Sequence, residues 1–257
     1  MHPILLQLGP ITLRTYGALV VLAFLAALRV ARTGAPLRGI QENFLLDLIA
    51  ILIVTGLLGA RLFYVLLNAS YFLEHPFEIV KIWEGGLVFY GGFFTATVAG
   101  IWFAHRRRIR VGKVADCLAP ALALGQAIGR LGCFFAGCCY GKPTSVPWAV
   151  TFKDPASLAP LGIDLHPTQI YESIGDLVIA TVLWILLVRR PDSKGDIFWL
   201  YVLLYGILRF AIEFLRGDDR GPTVGGLFPS QIIALVAILV AGSVIIAKQT
   251  TKHDAHA

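Results

Sequence analysis

Charge is scarce in this sequence. Only 15% of the 257 residues are Asp, Glu, Lys or Arg, where an ordinary soluble domain carries about a quarter. With 57% hydrophobic residues and a mean hydropathy of +0.74, the deficit excludes a disordered chain. It also argues against a water-soluble domain, because too few polar groups exist to cover a folded surface. Cysteine is sparse too: there are four, three of them crowded into Cys133, Cys138 and Cys139, too few and too local for a disulfide framework. No basic stretch precedes the first apolar run and no small-residue cleavage site follows it closely, so a cleaved signal peptide is not expected. Internal repeats, low-complexity tracts and linkers are missing as well, which leaves one polytopic membrane domain over residues 1–257 as the expected organisation.

What the sequence does have is apolar length. Two uncharged runs, 85–104 and 227–247, match the roughly 20 residues a helix needs to cross hydrocarbon. Five more stretches qualify if each tolerates ionisable residues: 12–31, 45–67, 115–134, 170–188 and 197–215. The expected fold class is an all-α integral membrane protein with seven transmembrane helices. The longest connection, 135–169, holds Pro143, Pro147, Pro155 and Pro160 and reads as an ordered surface loop.

Basic residues set the orientation. One set of alternate connections carries thirteen Lys and Arg, including the run from Arg106 to Lys113; the other carries five, Lys81, Lys142, Lys153, Arg216 and Arg220. The N-terminus is therefore expected outside the cytoplasm and the C-terminus inside, with loop 135–169 extracytoplasmic. Topology accounts for most of the net charge of +6, and no nucleic-acid partner is needed.

Four arginines remain inside the expected spans: Arg14, Arg61, Arg130 and Arg209. A charge there costs roughly 2.5 kcal/mol or more and marks function by default. In the derived orientation all four fall toward the extracytoplasmic face. Arg14 and Arg61 can also be read as snorkelling anchors. Arg130 sits among Gly125, Gly129, Gly132, Gly137 and Gly141, a bare surface that suits close approach of a helix or of a ligand headgroup. Tyr205, Arg209 and Glu213 are spaced i, i+4, i+8 and form one polar stripe, continued by Arg216. Guanidinium forks match phosphate oxygens, so a phospholipid phosphate is the natural ligand. Two further segments belong at this face: GGLVFYGG (85–92), expected to open the third helix around Tyr90, and HPTQIYE (166–172), which supplies His166, Gln169, Tyr171 and Glu172 at the start of the fifth. Capping and interface anchoring are the competing readings of the second segment.

These segments resemble the bacterial prolipoprotein diacylglyceryl transferases. The likeness rests on LRTYG (13–17), GARLFYVL (59–66), WEGGLVFYGG (83–92), GRLGCFFAGCCYG (129–141), HPTQIYE (166–172) and YGILRFAIEFLR (205–216), in the family's order over most of the chain. It implies transfer of the diacylglyceryl group of phosphatidylglycerol to the lipobox cysteine thiol of a preprolipoprotein, with release of glycerol phosphate, in the bacterial cytoplasmic (inner) membrane. Carried over residue by residue, it implies Tyr16, Arg61, Arg130, Gly141, Arg209, Glu213 and Arg216 as site residues. This chain departs from the family at three positions. Tyr90 stands where a histidine discussed as the catalytic base is common, Cys133 where asparagine is common, and Cys138 where glutamate is common.

Breaking a phosphate ester at carbon puts charge on the leaving phosphate, which fixed guanidinium groups stabilise. The expected catalytic residues are accordingly Arg130, Arg209, Glu213 and Tyr90. Tyr16, Arg61, Gly141, His166, Tyr205 and Arg216 are the expected substrate-binding residues. Glu213 is expected to orient Arg209 or take the thiol proton, with His166 as another acceptor. No metal or organic cofactor is expected. The adjacent pair Cys138–Cys139 lacks the CxxC spacing of a metal site, and the cysteines are read first as packing residues, with a disulfide open. Competing readings are a paralogue using the same lipid with another acceptor, a phospholipid transporter or flippase, whose intramembrane charges would line a pathway, and a redox protein built on the three cysteines.

Overall fold

A computed structural model describes residues 2–9 and 11–254. The chain opens with an antiparallel hairpin, β1 (Ile4–Leu8) and β2 (Ile11–Arg14). Seven helices of 18 residues or more follow: α1 (Thr15–Gly34), α2 (Glu42–Leu67), α4 (Phe89–Arg106), α5 (Val111–Ala136), α6 (Thr168–Arg189), α7 (Asp196–Glu213) and α8 (Pro229–Asp254). A short α3 (Ala69–Glu74) lies between α2 and α4. Among the described residues, five of the long helices, α1, α2, α5, α6 and α8, are long and apolar enough to cross a membrane. The other two are the shortest of the seven: α4 ends in His105 and Arg106, and α7 carries Asp196, Arg209 and Glu213. Helices suit an apolar surrounding because each pairs its backbone polar groups within itself.

Two expected helix starts move for reasons visible in the backbone. The first helix starts at Thr15 because residues 11–14 pair with β1, which leaves Arg14 exposed at the helix entry. The third expected span begins at Phe89, four residues later than the glycine run suggests. Gly85 and Gly86 adopt positive φ of 91° and 73°, a conformation that breaks a helix and that glycine takes at least cost.

Helices α5, α6 and α7 pack on one another, α1 lies against α5, α8 against α7, and α2 pairs with α4. Small residues make the centre: Ala119 and Ala123 of α5 meet Ile179, Leu183 and Leu187 of α6 and Ile197 of α7. A second cluster joins Ala31, Leu45, Leu48, Phe103 and Cys117, with the Phe44 and Phe103 rings stacked at 5.1 Å.

The register of α5, α6 and α7 is pinned at one end. Buried Asp116 of α5 accepts from the backbone N–H of Gly195 (2.8 Å) and Phe198 (2.9 Å) and from the Ser193 hydroxyl (2.5 Å). It thus caps the entry to α7 from a neighbouring helix, where a negative charge complements the helix dipole. Buried Arg38 donates to the carbonyls of Arg190 and Pro191 that end α6. The site lies at the opposite end of these helices. There the 137–167 segment forms a two-stranded sheet, β3 (Val150–Thr151) with β4 (Asp164–Leu165), over a small core of Phe152, Ala159 and Leu165 that extends to Phe134.

Candidate functional site

A backbone lattice ties the far ends of α5, α6 and α7 together. Gly141 donates to His166 O (3.1 Å) and His166 to Lys142 O (3.0 Å); Lys142 donates to Leu215 O (2.8 Å) and Gly217 to Tyr140 O (3.0 Å). Three chain segments therefore cross within hydrogen-bonding distance at Gly141. A Cβ there would lie 2.5 Å from both Cβ and O of His166 and 3.0 Å from Leu215 O. Only glycine fits the crossing.

The lattice aims four arginines at three carboxylates. Glu172, fully buried in the second turn of α6, is the hub. Its Oε1 lies 3.0 Å from Arg130 Nη2 and 3.4 Å from Arg209 Nη1, and its Oε2 lies 4.0 Å from Arg216 Nη1. Arg209 also pairs with Glu213 at 2.7 Å. Glu213 is saturated further by Arg220 Nε (2.9 Å) and by the Ser230 hydroxyl at the start of α8 (2.7 Å). Asp218 accepts the Arg216 fork at 2.8 and 2.6 Å and lies 3.8 Å from Arg220. Removing any one partner from such a buried network strands the others at a cost of about 3–5 kcal/mol. Four guanidinium groups thus meet three carboxylates, and Asp176, fully buried one turn beyond Glu172, is a fourth acid with no hydrogen-bond partner among the described residues.

Of the residues singled out from sequence, the structure gathers Arg130, Arg209, Glu213, Arg216 and Gly141. Tyr205 stands one turn before Arg209, its ring stacked on Tyr201 at 5.9 Å, and Tyr201 donates to Gln126 (2.8 Å). Tyr16 lies over Gly132 on α5 and is 45% exposed. The His166 ring sits 3.3 Å from the Tyr171 hydroxyl, which itself accepts from Trp148 Nε1 (2.6 Å).

Two expected residues stand elsewhere. Arg61 is buried, but its guanidinium is taken up by backbone carbonyls: Ile79 (2.8 Å), Glu78 (2.5 Å), Gly85 (2.8 Å) and Gly86 (3.1 Å). It also lies over the rings of Tyr64 and Phe72. It organises the 78–86 segment and leaves no fork for a phosphate. Tyr90 is 61% exposed on α4 and packs edge-on against Phe89; among the described residues no contact joins it to the arginines.

Sequence reasoning counted Arg220 as a loop charge and passed over Asp218, although the run RGDDR after the Arg209–Glu213 stripe was a usable signal. Glu172 was noted only as part of a helix start. Its i, i+3 relation to buried Gln169 on the same face of α6 was the clue.

The three cysteines border the cluster. Their sulfurs all lie within 4.8 Å of one another, and Cys139 Sγ is 3.8 Å from Arg130 Nη1. The three thiols share one another's protons: contacts with Cys133 and Cys138, and the Arg216 guanidinium, hold the Cys139 thiol below the ordinary thiol range, while the same contacts with Cys133 and Cys139 push the Cys138 thiol above it.

A family model described as prolipoprotein diacylglyceryl transferase matches residues 3–247. The phosphatidylglycerol–prolipoprotein diacylglyceryl transferase of Clostridium tetani is 38% identical to this chain, covering 93% of it and 95% of its own length. Proteins of the same name from Geobacter sulfurreducens and Finegoldia magna are 35% and 36% identical, each again covering 93% of this chain, and 95% and 93% of their own lengths.

Proposed function

This chain belongs to the prolipoprotein diacylglyceryl transferase family, and from that premise we propose that it transfers the diacylglyceryl group of phosphatidylglycerol to the lipobox cysteine of bacterial preprolipoproteins. It is a transferase of lipoprotein biosynthesis and a membrane protein. The observation that carries the reading is the convergence of Arg130, Arg209 and Arg216 on one buried carboxylate, Glu172.

The substrates explain the arrangement. Phosphatidylglycerol presents one anionic phosphate between an apolar diacylglyceryl group and a polar glycerol, and the reaction breaks the carbon–oxygen bond on the diacylglyceryl side. Sulfur attacks that carbon, the bonding pair passes to the phosphate oxygen, and glycerol phosphate leaves with more charge than the ester carried. Arg130 and Arg209, already oriented by Glu172 and Glu213, are placed to meet that charge without reorganising, which is where electrostatic catalysis gains most. Glu172 and Glu213 are positioning residues, since their oxygens are committed to arginines. Arg216 and Arg220 complete the positive field from the segment after α7. Tyr16 and Tyr205 flank the cluster as headgroup contacts, His166 and Tyr171 line its rim, and Arg61 supports the neighbouring 78–86 segment.

In the proposed topology all seven long helices span the bacterial inner membrane, with the N-terminus outside and the C-terminus cytoplasmic. The cluster then faces outer-leaflet headgroups, beneath the extracytoplasmic segment 135–169, in a single domain. The acceptor is a signal-peptide helix entering from the bilayer; no nucleic acid takes part. The direct test gives purified protein phosphatidylglycerol labelled in its glycerol headgroup. Water-soluble glycerol phosphate released only when a cysteine-containing lipobox peptide is present supports the reading. Movement of intact lipid between leaflets without release would favour a flippase instead.

A further inference from the structure

The thiol must lose its proton before it attacks; of the bases near the cluster, Asp176 is fully buried one turn beyond Glu172 and His166 faces the Tyr171 hydroxyl. Glu213 is bound by Arg209, Arg220 and Ser230, Glu172 is shared among arginines, and Tyr90 packs on Phe89 with no contact to the arginines among the described residues. The cysteines offer another route. Helix α5 ends at Ala136, Gly137 reverses the chain at φ +79°, and Cys139 is itself held at φ +61°, a conformation that disfavours a side chain. Two fully buried residues of α6 impose it: Gln169 Nε2 donates to Cys138 O and Thr168 Oγ1 to Cys139 O, each at 2.7 Å. The turn thereby folds Cys138 and Cys139 back toward Cys133, and the three sulfurs stand within 4.8 Å of one another.

Spacing along the chain argued against a metal here, but the fold supplies what the spacing lacks. Zinc–sulfur bonds of about 2.3 Å put tetrahedral sulfurs roughly 3.8 Å apart, so small rotamer adjustments would close these three on one ion. All three side chains are partly exposed, which leaves a side open to an incoming ligand. Three thiolates on Zn²⁺ carry one net negative charge, and Arg130, at 3.8 Å from Cys139 Sγ, offsets it.

We infer that Cys133, Cys138 and Cys139 form a zinc site whose fourth position takes the acceptor thiol. The inference rests on the transferase reading. Three protein ligands and one open position are the pattern of catalytic zinc, and a coordinating thiol is deprotonated outright. The acceptor R–SH binds as R–S⁻ and its proton passes to solvent. The sulfur lone pair forms the carbon–sulfur bond as the carbon–oxygen bond breaks, and its electron pair leaves on glycerol phosphate beside Arg130. The thioether product carries no charge, binds zinc weakly and departs.

The experiment uses the whole chain, purified in detergent with reductant. Equimolar zinc after dialysis, measured by elemental mass spectrometry, is expected. Cys133→Ser, Cys138→Ser and Cys139→Ser should each weaken zinc binding roughly tenfold or more. With Co²⁺ as the spectroscopic probe, a lipobox peptide should change the visible bands, and its cysteine-to-serine counterpart should leave them unchanged. Failure to retain zinc, a disulfide consuming two of the thiols in protein isolated without reductant, or cobalt bands indifferent to the cysteine peptide would overturn the inference. Equal diacylglyceryl transfer by chelator-stripped and zinc-loaded protein would overturn it while leaving the transferase reading intact. A cobalt response without any transfer would keep the zinc site and remove the transferase reading.

Discussion

Arg130 Nη2 lies 3.0 Å from Glu172 Oε1, joining the last turns of α5 to the second turn of α6. The same oxygen is 3.4 Å from Arg209 Nη1 on α7, so one carboxylate sets the relative positions of two guanidinium groups from different helices. Glu172→Gln keeps the shape and removes the charge. It should cost about 3 kcal/mol of stability, read as a lowered Tm in detergent, and should abolish most turnover even where the protein remains folded. A variant with wild-type Tm and wild-type turnover would show that the arginines need no such hub.

Lysine at Arg130 or Arg209 preserves charge but loses the fork that can bridge a carboxylate and a phosphate together. Arg130→Lys and Arg209→Lys should each lower turnover about a hundredfold while the chain still inserts. Steady-state kinetics with phosphatidylglycerol checks this, and near-normal turnover in both variants would refute the phosphate assignment.

Gly141→Ala places a methyl group against the His166 backbone and Leu215 O. The backbone crossing must then open, at a cost of about 1–3 kcal/mol, and Arg216 would shift with it. The expected result is a lower Tm with impaired activity. An unchanged Tm would mean that the crossing is looser than the hydrogen bonds indicate.

Tyr90→Phe should leave turnover close to wild type, because the exposed ring packs edge-on against Phe89 and has no contact with the arginines among the described residues. Severe loss of the chemical step with lipid binding intact would return the proton-transfer role to Tyr90.

The orientation has its own test. A reporter fused after residue 257 should be active in the cytoplasm. A cysteine placed at exposed Pro155 should add labelling by an impermeant thiol reagent from outside, over the background of the parent chain. Labelling that requires lysis would move the arginine cluster to the opposite leaflet.

Much of this was legible in the sequence because both signals are local. Hydropathy placed the long helices to within a few residues, and Arg130 and Arg209 stood out as charges in apolar runs. The misplaced starts have local causes that hydropathy does not register: a strand pairing at residues 11–14 and positive φ at Gly85 and Gly86. Arg61 looked equivalent to Arg130 because a sequence does not tell which acceptors a distant segment will bring. Here the carbonyls come from residues 78–86. Arg220 and Asp218 follow the Arg209–Glu213 stripe closely in the run RGDDR, but only the fold shows that the loop after α7 returns their charges to the site. The cysteine cluster was illegible because its geometry depends on a turn clamped by Thr168 and Gln169, about thirty residues away in the chain.

The central claim is that the arginine cluster carries diacylglyceryl transfer to a cysteine sulfur. Tandem mass spectrometry of a lipobox peptide incubated with purified protein and phosphatidylglycerol tests it most directly. The account predicts a mass gain equal to one diacylglyceryl group, localised to the cysteine, absent from the serine peptide and nearly absent with Arg130→Lys. An unmodified peptide from protein that is folded and binds phosphatidylglycerol would contradict it.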